Sequence, residues 1–323
     1  MQIVLTGIFR NFNDCAIISI NLKSKSIMKT LKLKKSSCPF NRELFLRFNL
    51  KLGLIFMCLF IFSCDSEEIN ESIEQIKQPT KEQLDKLDKM GVNNKNVAIE
   101  EITLLDGSKE EYFITEDIRI PINEIESYPD LEPLENGDKQ YRTSNLVSSA
   151  NRTINILGYT GDGFELTSKM QTALRWAVFN YNRLDTSLIF NLTFGVDYGR
   201  ADMVVYKYGT TLAGGQAEFP TNSGKPGKFI QIFAGTDSFS TNLVEHVITH
   251  EIGHGIGFRH QDWFDRQSCG TITTSAPPVE SPAIWIPETP IATNEDSIML
   301  ACFNGTEDGE FSDSDVVALE ILY

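Results

Sequence analysis

The alternation of apolar and polar residues predicts a mixed α+β domain at residues 146–323. Short apolar runs bounded by turn residues predict five strands, at residues 153–160, 188–195, 201–206, 213–219 and 228–234. Between the first two strands, apolar residues recur at helical spacing, which predicts a helix that Thr167 caps and that runs to about Leu184. These strands are expected to form a sheet with helices packed against it.

A second helical pattern follows the fifth predicted strand. Its apolar face is formed by Val244, Ile248, Ile252 and Ile256. Asn242, with Glu245 three residues later, predicts a capping box at the start of this helix. Gly257 predicts its end, because glycine readily adopts the left-handed conformation that closes helices. A further capped helix is predicted at residues 311–323.

The chain before this domain predicts a smaller unit. Residues 65–80 are polar and predict a tether. Residues 97–105 and 111–120, separated by turn residues, predict a β-hairpin. We therefore expect residues 64–145 to form a tether and a small accessory segment or pro-segment that precedes the main domain.

An apolar run near the N-terminus predicts export. Residues 52–63 are apolar and follow a basic stretch at residues 29–51. The run is too short to cross a bilayer and is typical of a signal-peptide core. We therefore predict that residues 1–63 are a signal peptide or leader, for which Met28 offers an alternative start.

Charge is distributed unevenly along the chain. The net charge is −15, yet residues 1–63 carry 10 Lys and Arg residues against 2 Asp and Glu residues. The rest of the chain therefore carries a net charge of −23, from 19 basic and 42 acidic residues. Because nucleic acids are bound by basic patches, this composition argues against a nucleic-acid partner. An acidic, solvated surface is the simplest interpretation.

The candidate chemistry lies in one short segment. All four histidines of the chain are found between residues 246 and 260. His250 and His254 are four residues apart, so on a helix both imidazoles can reach one zinc ion. The chain reverses after the helix and brings His260 back as a third ligand, which leaves a fourth position for water. Glu251, beside the metal, is placed to accept a proton from that water as a catalytic base.

The fourth histidine needs a separate interpretation. His246 lies one turn before His250, and one zinc ion cannot accept three nitrogens spread over two straight helical turns. We therefore expect His246 to pack in the core or to support the ligands. For the whole segment, an ordinary amphipathic core helix without metal is the alternative interpretation.

The sequence of residues 250–260, HEIGHGIGFRH, resembles the dual-action HEIGH metallopeptidases, a metzincin family. The resemblance extends from about residue 144 to residue 323. It implies a metzincin-type zincin fold, in which a twisted, mixed five-stranded sheet is joined by an active-site helix, a Met-turn and a C-terminal helix, with Zn2+ as cofactor. Residues 296–300 resemble the Met-turn, which implies that Met299 forms a hydrophobic floor beneath the zinc. Ordinary core packing is the alternative for Met299. Ala301 stands where astacins and serralysins have a tyrosine ligand, so we expect no such ligand here.

Two further predictions concern the surroundings of the zinc site. A peptide would lie antiparallel to an edge strand formed by Gly214, Gly215, Gln216 and Ala217, held by main-chain hydrogen bonds. Asp262, just past the third ligand, is a candidate for orienting a ligand histidine, because carboxylates often support metal-bound imidazoles in this way.

One acidic residue of the accessory segment is a candidate inhibitor. Residues 114–118, ITEDI, resemble the pro-segment motif of astacin-type metzincins, in which an aspartate binds the zinc and blocks it. The corresponding residue is Asp117, and Glu116 replaces the glycine of the motif. A solvated hairpin acid is the alternative interpretation of Asp117.

The last three cysteines have different predicted roles. Residues 61–64 resemble a bacterial lipobox, which implies that Cys64 is lipidated and becomes the first mature residue. Residues 65–68 resemble the acidic tag of surface-exposed lipoproteins, with a plain export signal or an uncleaved anchor as the alternative. Because exported proteins permit disulfides, Cys269 and Cys302 suggest a disulfide bond, with free buried thiols as the alternative.

Together these features predict a monomeric, exported zinc endopeptidase that is held at the bacterial outer membrane and cell surface only by its lipid anchor. Its substrates would be peptides or proteins. A surface lipoprotein that keeps the zinc fold for binding or adhesion, without turnover, is the alternative from another class. A hydrolase of non-peptide amides is a third reading.

Overall fold

The computed structural model describes residues 7–11, 14–18, 77–131, 140–270, 283–289 and 294–323. The chain divides into two compact units, residues 1–73 and residues 74–323. The first unit contains an antiparallel pair of strands, β1 (Gly7–Asn11) and β2 (Asp14–Ile18). The predicted signal-peptide core and Cys64 lie outside the described residues. Among the helices that the structure describes, none is both long and apolar enough to cross a membrane.

The second unit begins with a helix and three strands. Helix α1 spans Lys81–Lys89, and the strands are β3 (Ala98–Thr103), β4 (Lys109–Thr115) and β5 (Ile118–Pro121). The expectation of one continuous strand at residues 111–120 is wrong. Glu116 adopts a φ of 59° and turns the chain between β4 and β5, which leaves Asp117 in the turn.

After the short strand β6 (Tyr141–Arg142), the chain follows the predicted order of strands and helices. The elements are β7 (Thr153–Tyr159), α2 (Ser168–Asn182), β8 (Ile189–Gly195), β9 (Met203–Tyr208), β10 (Gly215–Ala217) and β11 (Phe229–Phe233). Thr167 caps α2 as predicted, because its hydroxyl accepts a hydrogen bond from the amide of Met170 at 3.1 Å. The mixed α+β fold is therefore confirmed.

These strands form one mixed sheet in the order β3-β4-β5-β10-β11-β9-β7-β8. Strand β10 pairs antiparallel with β11, whereas β11, β9, β7 and β8 pair parallel with one another. Five strands come from residues 153–233, as predicted, and β3, β4 and β5 extend the same sheet. The predicted edge at β10 is therefore covered by the chain's own β5. A hairpin pattern in a sequence does not indicate which sheet edge the hairpin joins.

Two helices complete the core on one face of the sheet. Helix α3 spans Thr241–Ile256, and α4 spans Asp313–Leu322. Helix α3 has the predicted apolar face, whose four residues are fully buried with α2 and the sheet. The predicted cap at Asn242 is wrong. The side chain of Ser240 accepts a hydrogen bond from the amide of Leu243 at 3.2 Å, so the helix starts before Asn242.

A small second sheet fixes the loops after α3. Strands β12 (Phe258–Arg259) and β13 (Ile284–Trp285) both pair antiparallel with β6. The amide of Thr143, just after β6, donates a hydrogen bond to the carbonyl of Gly257 at 2.8 Å. The backbone that follows α3 is therefore hydrogen-bonded to β6 and the residue after it, starting at Gly257.

Candidate metal centre and active site

Helix α3 and its return loop bring three histidines together. Helix α3 ends at Gly257, which has a φ of 109° and lies so close to Asn145 that a Cβ would be 2.8 Å from the Asn145 carbonyl oxygen. The chain therefore turns sharply into β12. His250, His254 and His260 follow one another around a common centre, with ring centroids 4.5 to 5.3 Å apart.

Backbone carbonyls fix the orientation of two of these rings. Nδ1 of His250 lies 2.7 Å from the Ile298 carbonyl oxygen, and Nδ1 of His254 lies 2.9 Å from that of Phe258. Because a carbonyl only accepts, each Nδ1 carries the proton and each Nε2 keeps its lone pair for the centre. Burial lowers the pKa of His254 to about 4, which keeps this imidazole neutral.

Asp117 lies in the middle of the three histidines. Its Oδ2 atom is 2.8 Å from Nε2 of His260 and 3.5 Å from Nε2 of His250, and its Oδ1 atom is 3.6 Å from Nε2 of His254. Burial acts to raise the pKa of Asp117, but His260 and a hydrogen bond with His250 oppose it, and this pKa lies well below its ordinary value. Asp117 is therefore an anionic carboxylate.

These four groups fit a zinc ion. Their ligand atoms all lie within 4.8 Å of one another. Oδ1 of Asp117 and Nε2 of His254 are buried and have no hydrogen-bond partner. Buried polar atoms without partners are costly unless something binds them, and three imidazoles with one carboxylate form a donor set that zinc accepts. The residues of the site therefore fit a metal ion.

Glu251 faces both the histidines and the sheet edge. Its side chain is buried, and Oε2 has no hydrogen-bond partner. A Cβ at Gly215 of β10 would lie 2.8 Å from Oε1 of Glu251, so the absence of a side chain at Gly215 makes room for this carboxylate. Burial and the nearby Asp117 raise the pKa of Glu251 well above its ordinary value.

Met299 lies beneath the histidine segment, as expected for a Met-turn. It is buried, and its sulfur atom lies 2.6 Å from the position that a Cβ of Gly253 would take. Gly253, between the two helical histidines, therefore allows this close approach. The Met299 carbonyl accepts a hydrogen bond from the amide of Gln261 at 2.7 Å, which ties the turn to the residue after His260.

Asp262 does not orient a ligand histidine, contrary to expectation. Its carboxylate accepts hydrogen bonds from the Ser268 amide and hydroxyl, at 2.9 and 2.6 Å, and from the Ala301 amide at 2.9 Å. Asp262 lies in the turn after the third histidine, so its side chain points toward the next loop and the Met-turn. The predicted disulfide is present and joins the same two loops, with the Cα atoms of Cys269 and Cys302 5.1 Å apart.

The other predicted residues are also placed. His246 is buried and packs edge-to-face against Phe303, with ring centroids 6.2 Å apart, away from the metal-binding group. Gly214, Gly215, Gln216 and Ala217 form β10 and its start, next to Glu251 and Asp117.

Sequence reasoning missed how Glu116 supports the turn that carries Asp117. Oε1 of Glu116 accepts a hydrogen bond from Nδ2 of Asn93 at 2.8 Å, and the carboxylate forms an ion pair with Arg266. These contacts hold a residue whose positive φ would suit glycine better. The sequence contains one signal for this support, because Glu116 replaces the glycine of the pro-segment motif and the turn must therefore be held by side-chain contacts.

Comparison with known proteins gives one family. A family model described as the dual-action HEIGH metallopeptidase matches residues 113–323, a range that includes Asp117, the three histidines, Glu251 and Met299. Two solved structures of myroilysin are similar to the chain. One is 14% identical over 54% of this chain and 84% of that chain, with a TM-score of 0.34. The other is 11% identical over 54% and 80%, with a TM-score of 0.31. Curated proteins gave no match.

Proposed function

The chain belongs to the dual-action HEIGH metallopeptidase family, and from this premise we propose that it is a zinc-dependent endopeptidase that hydrolyses peptides or proteins. The observation that carries the proposal is the buried group of three histidines with Glu251 beside it. A zinc site that served structure alone would need no free carboxylate next to its ligands.

His250, His254 and His260 would hold the zinc ion. When bound, zinc supplies a Lewis acid that polarises a carbonyl and lowers the pKa of water. Glu251 takes the proton of the attacking water as general base and then delivers it to the leaving amine. The buried position of Glu251 excludes competing solvent, and its unpartnered Oε2 atom is available for this transfer.

Strand β10 is the proposed partner of the substrate main chain. Strand β5 now occupies part of its outer side, where Ala217 pairs with Ile118 and the Ala217 amide donates a hydrogen bond to the Asp117 carbonyl at 2.9 Å. A substrate would add antiparallel to β10. The narrow space left by Gly215 would bring its backbone close to Glu251.

The described form of the chain is proposed to be latent. Asp117 would occupy the ligand position that water needs on a bound zinc ion, and β5 would occupy the place that a substrate needs beside β10. Because β5 runs parallel to β10, its direction is opposite to that of the proposed substrate. The segment therefore fills the cleft without offering a peptide bond in the productive orientation.

Export and lipid anchoring belong to the same proposal. The basic and apolar leader, the lipobox-like residues 61–64 and the acidic residues that follow support an anchored protein of the bacterial outer membrane. The disulfide between Cys269 and Cys302 supports an oxidising compartment. The mass of the mature N-terminal fragment tests this directly, since lipidation of Cys64 adds acyl chains to it.

The catalytic proposal is tested by digesting a mixed peptide library with the Asp117→Ala chain and with the same chain carrying Glu251→Gln. We expect the second substitution to slow cleavage by roughly 10²- to 10⁴-fold, because a general base is lost. Zinc content should stay the same in both. Zinc binding without cleavage in either chain would favour a binding or adhesion protein, and retained cleavage after Glu251→Gln would contradict the assigned base.

A further inference from the structure

Arg119 is an arginine that no part of the proposed mechanism uses. It lies on β5 two residues after Asp117 and is fully buried. Its neighbours Ile118 and Ile120 pack into the cluster beneath α1, so alternation along the strand sends Arg119 to the opposite face of the sheet. There its guanidinium reaches across the edge of β10 into a pocket of the main domain.

Three kinds of contact hold the guanidinium. Nη1 donates a hydrogen bond to the hydroxyl of Tyr206 at 2.7 Å, and Nη2 forms an ion pair with Oε1 of Glu218 at 3.1 Å. The guanidinium carbon lies 5.7 Å from the ring centroid of Phe229 and 4.3 Å from that of Tyr112. Two acceptors meet two separate nitrogens, which suits the planar guanidinium better than a lysine ammonium.

The pocket is held in place by the main domain itself. Oε2 of Glu218 accepts a hydrogen bond from the amide of Phe229 at 3.2 Å. The hydroxyl of Tyr206 accepts a second hydrogen bond, from Nε2 of Gln231 at 2.8 Å. Each acceptor therefore also has a partner within the main domain, and a buried carboxylate such as Glu218 needs a cation nearby.

The pocket lies beside the path proposed for the substrate. Glu218 directly follows β10, at its C-terminal end. A substrate antiparallel to β10 would direct its N-terminal part toward that end. Side chains of paired residues project to the same face of a sheet, so the substrate residue opposite Glu218 would point into the pocket. This residue lies roughly two positions before the scissile bond, as Arg119 lies two residues from Asp117.

We propose that Glu218, Tyr206 and Phe229 form a subsite for an arginine side chain on the N-terminal side of the scissile bond, and that Arg119 fills this subsite in the latent form. The inference rests on the proposed function, because it names a substrate class for that active site. The enzyme would accordingly favour arginine-containing peptides, and lysine would be a weaker substitute.

The first test compares peptides that differ only at this position, with arginine or with its uncharged isostere citrulline. The enzyme is the zinc-loaded Asp117→Ala chain, with and without Glu218→Gln. We expect kcat/KM to favour arginine by roughly 10- to 100-fold, as for hydrogen bonds to charged groups. Glu218→Gln should bring that ratio close to one. Equal cleavage of both peptides by the chain with Glu218 would overturn the subsite while leaving the peptidase intact.

A second test measures ligand binding and requires no peptide cleavage, so it tests the subsite independently of the proposed peptidase activity. Arg119→Ala in the full chain opens a space the size of the lost side chain. Ethylguanidinium, but not ethylammonium at the same concentration, should then raise the thermal midpoint, and the rise should vanish in R119A/E218Q. A rise with ethylguanidinium supports the subsite even if no peptide is cleaved. Equal effects of the two cations, or a rise that survives Glu218→Gln, would overturn it.

Failure of Arg119→Ala to fold would not remove the test. In Arg119→Ala, the Glu218 carboxylate is left buried without a cation, which can prevent folding. The double variant R119A/E218Q removes this carboxylate and keeps the side-chain volume at position 218. The peptide comparison uses only chains that keep Arg119.

Discussion

Three of the four candidate metal ligands lie on or just after α3, in which every residue from Leu243 to Ile256 is buried, whereas the fourth, Asp117, lies in a turn between two short strands. Two of the histidine rings, those of His250 and His254, are held by backbone carbonyls. Strand β5 instead meets β10 at a single register pair, Ala217 with Ile118. On the proposed function, the three histidines form the permanent part of the metal centre and Asp117 forms the exchangeable part.

The largest expected effect comes from breaking the permanent half. His254→Ala removes a ligand that no other residue can replace, so zinc content should fall from about one ion per chain toward none and hydrolysis should stop. Metal analysis of the purified chain measures this.

His246→Ala is the matched control for that experiment. His246 lies on the same helix as His250 and His254, but it packs against Phe303 and not against the three candidate ligands. Zinc content should stay at the wild-type level. Loss of zinc in this variant alone would contradict the ligand assignment.

A smaller effect is expected from removing the disulfide bond between Cys269 and Cys302, which joins the loop after His260 to the Met-turn. Opening the disulfide with Cys269→Ser and Cys302→Ser releases a loop with a sequence separation of 33 residues. The free energy of unfolding should fall by about 4 kcal/mol in the chain-entropy account. Denaturant unfolding measures this, and an unchanged midpoint would show that Asp262 and its partners hold the loops without the bond.

The smallest effect concerns the first turns of α3. Burial, together with Glu310 and Asp308, raises the pKa of Glu245 to about 8, against an opposing effect of Arg183. The folded state therefore holds this proton more tightly than the unfolded state does. The resulting stability is present at low pH and is lost as pH rises to about 8.

The measurement is the thermal midpoint at pH 5 and at pH 8. The wild-type midpoint should fall more over this interval than that of Glu245→Gln, which cannot titrate. The exposed Glu320→Gln serves as control and should follow the wild type. An equal fall in the thermal midpoint between pH 5 and pH 8 for all three chains would contradict a raised pKa of Glu245.

The features that the sequence predicts correctly are those that depend on the spacing of neighbouring residues. The positions of Glu251 and the histidines follow from helical geometry and one glycine, so the sequence was enough to predict them. The cap of α3 was missed because Ser240 and Asn242 are both good capping residues, and only the surrounding packing distinguishes them.

The features that residue spacing does not predict depend on contacts between residues that are far apart in sequence. Arg119 and Glu218 are 99 residues apart in sequence, and no local pattern links them. The pairing of β5 with β10 is equally remote, although the resemblance of residues 114–118 to a pro-segment motif had already singled out Asp117. Asp262 was close to the ligands in sequence, but the direction of its side chain depends on the loop at Ser268.

The most direct test of the account measures peptide hydrolysis by zinc-loaded wild type, Asp117→Ala and Asp106→Ala at equal metal content. Asp106 is an aspartate of the same segment that contacts Ser108 and not the histidines, which makes it the matched control. We predict that Asp117→Ala raises the rate by at least about tenfold, a factor that corresponds to only about 1.4 kcal/mol. Asp106→Ala should leave it unchanged. A rate for Asp117→Ala at or below that of wild type, with zinc bound, would contradict the claim that Asp117 holds this metallopeptidase latent.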